Sequence, residues 1–354
     1  MAKPFVSVLI DTYNHERFIE QAIVSVLEQD FPAADREIIV VDDGSTDRTP
    51  EIVKKFAPQV RLLRKKNGGQ ASAFNAGIPE CKGEIVAFLD GDDWWAREKL
   101  EIVTTAFKEH PEVGTIGHGI FEADETSQQM TVNVPDRTYV SYLRDLEEGK
   151  QFLALRAFLG TSRLAVRSEV LKKVAPLPVE LTIEADEFLA TVATALSGAQ
   201  ILNQPLTNYR LHSGNLFHFT EWSTAKAKRK CDALRALASQ LPLRLERASV
   251  PREVAGLLAR ATRVDAERLR LSLGEGWPWQ TLRTEREAYR LAYQRRDLGY
   301  RIFHGIVLGI ALLLPPSQFY RLRSWYAAKG LARVRKQFGD GTPTDTLTQR
   351  RTLT

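Results

Sequence analysis

Three carboxylates stand within four positions in the run Phe88-Leu89-Asp90-Gly91-Asp92-Asp93. An apolar strand that ends in clustered like charges is unfavourable unless a cation neutralises them. Oxygen ligands of this kind suit Mg2+ or Mn2+, each held by one or two carboxylates and completed by the phosphate oxygens of a substrate. An acidic turn built on Gly91 would leave the same local pattern. A second acidic strand end, Ile39-Val40-Val41-Asp42-Asp43-Gly44-Ser45, favours a shared site over coincidence. A carboxylate there can accept hydrogen bonds from the base or ribose of a nucleotide, or it can form an Asx-turn and cap the helix that follows.

The segment Asn67-Gly68-Gly69-Gln70-Ala71-Ser72-Ala73-Phe74-Asn75-Ala76-Gly77 is a glycine turn leading into small residues. It matches neither the lysine-bearing phosphate loop nor the dinucleotide fingerprint. Amides at that helix start would face a phosphate or pack the helix closely on a sheet. Trp94 and Trp95 would supply a stacking wall or core, and His15, Glu16 and Arg17 read as solvent-facing.

These residues need elements to carry them. Strands are predicted at 6–10, 37–41, 60–63 and 84–89, with a helix over 15–29 whose apolar stripe is Phe18, Ile19, Ala22, Ile23, Val26 and Leu27. A second helix starts at Thr46 or Asp47. Alternating strands and helices call for a mainly parallel sheet covered by helices on both faces. Ligands bind such sheets at the carboxyl ends of their strands, where Asp11, Asp42, Asp43 and Asp90 all fall. The stretch 115–150 carries little periodicity, a strand is predicted at 164–166, and helices at 168–174 and 183–196. Beyond residue 219 the composition turns to Arg, Ala and Leu at helical spacing, with helices at 233–241 and 254–273.

Four motifs in order, Ser7-Val8-Leu9-Ile10-Asp11-Thr12-Tyr13-Asn14, Val40-Val41-Asp42-Asp43-Gly44-Ser45-Thr46-Asp47, Asn67-Gly68-Gly69 to Asn75-Ala76-Gly77, and Phe88 to Asp93, resemble the signature of family 2 glycosyltransferases. The resemblance covers residues 4–215. It implies an α/β fold, a GT-A type nucleotide-binding sandwich with a mainly parallel sheet and a helical C-terminal region, and transfer that inverts the anomeric centre. Asp11, Thr12, Tyr13, Asp42, Asp43, Asn75, Asp90 and Asp92 would then bind the donor, Tyr13 lying against the base or sealing the sheet end. Asp90, Asp92, Asp93 and His212 would hold Mn2+ or Mg2+. Inversion also needs a general base for the acceptor hydroxyl, and the acids of Glu184-Ala185-Asp186-Glu187 are the candidates, Asp186 first and Glu187 second. In the run Tyr209-Arg210-Leu211-His212, Arg210 would face phosphate. The Gln-x-x-Arg-Trp element of processive synthases is not seen here, which favours addition of one or a few sugars.

The chain has 354 residues, 49 Lys and Arg against 44 Asp and Glu, and a net charge of +5. Cys81 and Cys231 stand far apart and suggest no disulfide framework, so a reducing cytoplasmic compartment is expected; residues 1–10 lack the pattern of a secretory signal. The expected organisation is a catalytic domain over 1–220, a helical accessory region over 221–338 and a polar, frayed tail over 339–354. The apolar run 302–314 is too short to span a bilayer. Arg290, Arg295, Arg296, Arg301, Arg321, Arg323, Lys329 and Arg333 flank it, with Tyr320, Trp325 and Tyr326 among them. That is the design of an interfacial anchor on an anionic membrane surface, or of a buried packing helix. No nucleic-acid recognition fold is present. The expected reaction is transfer from a nucleotide sugar, a UDP-sugar first, to a saccharide or lipid-linked acceptor in surface-glycan synthesis at the inner face of the membrane. A sugar nucleotidyltransferase, or an inactive glycan-binding or scaffolding protein of the same fold, are the alternatives.

Overall fold

The computed structural model describes residues 5–215, 224–291, 298–328 and 348–352. Its first half runs β1 (Val6–Thr12), α1 (Ile19–Leu27), β2 (Arg36–Asp42), α2 (Thr49–Lys54), β3 (Val60–Arg64), α3 (Gln70–Gly77), β4 (Ile85–Asp90), β5 (Trp94–Trp95) and α4 (Lys99–Glu109). It continues through β6 (Thr115–Ala123), β7 (Gln129–Pro135), β8 (Tyr139–Ser141), α5 (Leu146–Leu155), β9 (Ala165–Arg167), α6 (Ser168–Val174), α7 (Ala185–Ser197) and β10 (Ala199–Arg210). Helices α8 (Thr224–Arg247), α9 (Arg252–Ser272), α10 (Pro278–Leu291), α11 (Leu298–Leu313) and α12 (Pro316–Ala328) follow, then β11 (Thr348–Thr352).

Strands β3, β2, β1 and β4 lie side by side and parallel, as their βα alternation requires. The remainder makes the sheet mixed: β9 runs antiparallel between β4 and β6, β7 is antiparallel to β6, and β10 is parallel to β6. Register brings the acids together. Asp11 stands opposite Asp90, and Thr12 opposite Asp42, so chain positions far apart share one edge.

Both faces of the parallel strands are buried, so these strands read as continuous apolar runs. Val8, Ile10, Val40 and Leu89 pack with Ile19 and Ile23 of α1 and with α4. Leu9, Ile39, Val41 and Phe88 pack on the other side with Phe74 of α3 and Phe188 of α7. That second cluster runs on into Leu234, Leu237 and Leu241 of α8 and Val254 and Leu258 of α9. Helices α8 and α9 therefore share a core with the sheet. The boundary expected near residue 220 lies outside the described residues.

The stretch 115–150 holds three strands and α5. Strand β6 is buried almost throughout and contains glycines where a side chain would strike Leu159 or Val134, so neither alternation nor bulk marks it in sequence. Within the tail expected to fray, Thr348–Thr352 instead pairs antiparallel with β7, where backbone hydrogen bonds serve a polar segment. Helix α11 divides its residues: Ala311 is buried with Leu271 and Phe319, while Ile302, Ile306 and Leu313 are 58%, 58% and 81% exposed. No helix of the described residues is long and apolar enough to cross a membrane. Arg295, Arg296, Lys329 and Arg333 of the expected basic flanks lie outside the described residues.

Candidate active site

Two loops that follow β1 and β2 are laced together before any ligand is considered. Asn14, in a left-handed turn with φ 57°, accepts from the Thr46 amide at 2.8 Å, and its own amide donates to Ser45 Oγ at 2.9 Å. The His15 amide donates to Thr49 Oγ1 and the Glu16 amide to Asp47 Oδ2. Asp47 also accepts from the Thr49 amide and so opens α2. Tyr13 projects beside this lacing, 44% exposed, at the rim of the sheet end.

The acids of β2 turn inward. Asp42 accepts from the Ser45 amide at 2.9 Å and pairs with Arg64 at 3.2 Å. Asp43 accepts from the Gly68 amide at 3.0 Å, the Gly69 amide at 2.7 Å and Lys65 Nζ at 2.5 Å. The next amides of that turn, Gln70 and Ala71, donate to the carbonyls of Thr182 and Leu181. Gly69 has φ +81°, and a Cβ there would stand 2.6 Å from Thr182 Cα. The turn is therefore a close contact between chain segments, the second of the two readings its glycines allow, and its amides are turned to Asp43, Thr182 and Leu181 rather than to a phosphate. Asn75, expected to bind donor, has its amide committed in both directions to the backbone of Leu177.

The acids of β4 and β1 form the centre. Ser162 is the hub beneath them. Its Oγ accepts from the Asp90 amide and donates to Asp90 Oδ2, while its carbonyl accepts from Lys99 Nζ, Trp95 Nε1 and Thr207 Oγ1. Trp95 is thus core, and Trp94 lies half-buried under Arg210. Arg210, expected to face phosphate, is instead buried: its amide donates to Asp93 Oδ1 and its guanidinium to the Asp92 carbonyl and Gln21. It holds the acidic turn from behind. His212 Nε2 stands 3.0 Å from Asp92 Oδ2, and His15 Nε2 stands 3.7 Å from the same oxygen. His15 was expected to face solvent, because nothing in a lone helix-start histidine marks a strand end that packs on it from residue 92.

Electrostatics follow from this crowding. Burial first, then the Asp186 and Asp92 carboxylates, push Asp11 well above the usual carboxylate range. Burial and Asp11 do the same to Asp90, and burial with Asp92 pushes Asp93 up to about 8. Asp92 is held low instead, because His15 and His212 outweigh its burial. Asp11 Oδ1 and Asp93 Oδ2 are buried without a hydrogen-bond partner among the described residues. Carboxylates that force protons onto one another fit a divalent cation. The expected four-ligand set is corrected, however. Asp90 is taken by Ser162 and Asp93 by the Arg210 amide, and no group of three such side chains forms a protein-only cage among the described residues. Asp92 and His212 stay in direct contact at the edge of this acidic cluster, 3.0 Å apart.

Asp186 and Glu187 open α7. Asp186 Oδ2 accepts from the Thr161 amide at 3.0 Å and from Thr161 Oγ1 at 2.9 Å. Glu187 pairs with Arg156 at 2.5 Å, and burial followed by Arg156 and Asp265 governs its carboxyl, which is raised on balance. Glu184 before them adopts φ 63° and pairs with Lys230 at 3.5 Å; burial pushes it up to about 8. The roles of Thr161, Ser162 and Arg156 carry no sequence signal, since each acts through a partner at least 25 positions away.

A family model described as Glycosyl transferase family 2 matches residues 7–174. The uncharacterized glycosyltransferase alr2836 of Nostoc sp. is 34% identical over 235 residues, 64% of this chain and 71% of that protein. The poly(ribitol-phosphate) beta-N-acetylglucosaminyltransferase TarS of Staphylococcus aureus is 28% identical over 46% of this chain, which spans only 34% of its length. Among solved structures, S. aureus TarS 1-349 in complex with UDP-GlcNAc aligns over 92% of both chains with a TM-score of 0.56 at 18% identity. The mannosyltransferase PcManGT from Pyrobaculum calidifontis, in complex with GDP-Man and Mn2+, aligns over 88% of this chain and 87% of its own at 0.50 and 19% identity. The shared fold is of the GT-A type.

Proposed function

The chain belongs to glycosyl transferase family 2 and is a nucleotide-sugar-dependent glycosyltransferase, and from that premise we propose a metal-dependent, inverting transfer from a UDP-sugar to a saccharide or lipid-linked acceptor. The observation that carries this reading is that Asp186 and Asp90 line one cavity, with Asp186 close enough to raise the proton affinity of both Asp11 and Asp90. A base thus lies beside the donor carboxylates, where an acceptor hydroxyl must attack.

In this reading Tyr13 and Thr12 line the nucleotide pocket, with Asp42 and Asp43 holding its wall. Asp90 meets the ribose or sugar. Asp92 and His212 would hold Mn2+ or Mg2+, which would offset the charge of the diphosphate as it leaves. Asp186 takes the acceptor proton while Thr161 and the Glu187 amide orient its carboxylate, and inversion follows from attack opposite the leaving group. Binding of UDP should be stronger with Mn2+ than with chelator in titration calorimetry, because Asp92 and the diphosphate repel each other without a cation. Equal affinity in both would remove the metal from the reading.

We place the enzyme at the inner face of the membrane in surface-glycan assembly, where the exposed apolar residues of α11 support peripheral contact with an anionic surface.

A further inference from the structure

A cavity of about 1050 Å³ opens from Asp90, Asp93 and Asp186 and runs outward to α9 and α12. Asp11, Tyr13, Asp43 and Asp92 do not line it, so it meets the donor residues only at Asp90 and Asp93 and extends from there past the base toward the C-terminal helices. We infer that α9 and α12 form the outer half of the acceptor site, and that the acceptor is a saccharide of at least two units lying along this wall. The inference rests on Asp186 as the base.

Size is the first support, since the volume reaches the top of the range for small-molecule pockets and exceeds what one sugar ring fills. Chemistry is the second. The outer lining includes Ser317, Arg321 and Ser324, whose hydroxyls and guanidinium match the donors and acceptors of a sugar, while Ser272 and Tyr320 already donate to Leu269 and Glu285. Rigidity is the third. Glu187, Arg156, Asp265, Arg268, Glu285 and Arg323 alternate in charge and touch in sequence at 2.5, 2.7, 3.8, 2.9 and 2.5 Å, tying α7 beside the base to α12 at the rim.

The test uses the full chain with UDP and Mn2+, and mono- to tetrasaccharides of the glucose and N-acetylglucosamine series, read by saturation-transfer NMR and titration. Binding is expected to strengthen from one to three units. Ser324→Trp, at an exposed rim position, and Ser272→Trp, from α9, are each expected to weaken the trisaccharide tenfold or more while UDP and monosaccharide binding hold. Length-independent binding, no binding by any saccharide, or unchanged trisaccharide binding in both folded variants would overturn the inference. Failure of the wild type to bind UDP would instead overturn the nucleotide-sugar reading on which it rests.

Discussion

Thr161 donates twice to Asp186, through its amide and its hydroxyl, whereas Arg156 clamps Glu187 in an ion pair. The neighbours are therefore held differently: Glu187 by a cation, and Asp186, at the cavity wall, by neutral donors, Thr161 and the Glu187 amide. Asp186→Asn should lower transfer on the order of a hundredfold or more while UDP affinity stays within about twofold, since only proton acceptance is lost. Glu187→Gln should cost less in rate but lower the melting temperature, because Arg156 is left half-paired. Steady-state kinetics beside calorimetry separates the two, and a dead Glu187→Gln with an active Asp186→Asn would move the base by one position.

Helix α12 is docked through one buried carboxylate. Glu285 of α10 accepts from Arg268 at 2.9 and 3.0 Å, from Tyr320 at 3.0 Å and from Arg323 at 2.5 Å. Burial alone would raise its pKa, but Arg268 and Arg323 outweigh burial and hold it below the usual glutamate value. The sign follows from linkage. A depressed folded-state pKa contributes stability that is whole above the unfolded value, near 4.3, and fades as pH falls toward the folded one. Glu285→Gln should therefore destabilise by about 3 kcal/mol at neutral pH, with two arginines left facing each other. Thermal melts of both proteins from pH 7 down to pH 3 should show that gap closing; a gap constant across the range would remove Glu285 from the docking of α12.

At the scale of the molecule, α11 offers an apolar side to whatever surrounds it. Ile302, Ile306 and Leu313 recur after one and then two helical turns on that side, and exposed Leu322 and Trp325 of α12 follow. A net charge of +5 would draw this region to an anionic leaflet. Co-sedimentation with vesicles containing anionic phosphatidylserine should weaken as salt rises, and Ile306→Glu with Leu313→Glu should abolish it without loss of fold, both being exposed. Binding that survives the double change would assign the basic residues alone.

The chain by itself determined the parallel core and the acids at its edge. Apolar runs that end in Asp11, Asp42 and Asp90 announce strands with ligands at their carboxyl ends, because burial on both faces and clustered charge are local properties. The same holds for α7 with its opening acids. Tertiary structure decided which of those acids are free. Asp43 and Asn75 read as donor ligands, yet Gly68, Gly69 and Leu177 occupy their polar atoms, and Arg210 reads as a phosphate ligand while it braces the turn at Asp92 and Asp93. His15 came to Asp92, and Arg156 to Glu187 and Asp265, across gaps of 31 to 109 positions. Hydrogen-bond partners at that separation depend on register and packing, which no spacing along the chain encodes. The joining of α9 and α12 to the cavity beside Asp186 is of the same kind, set by a shared hydrophobic core and a chain of ion pairs.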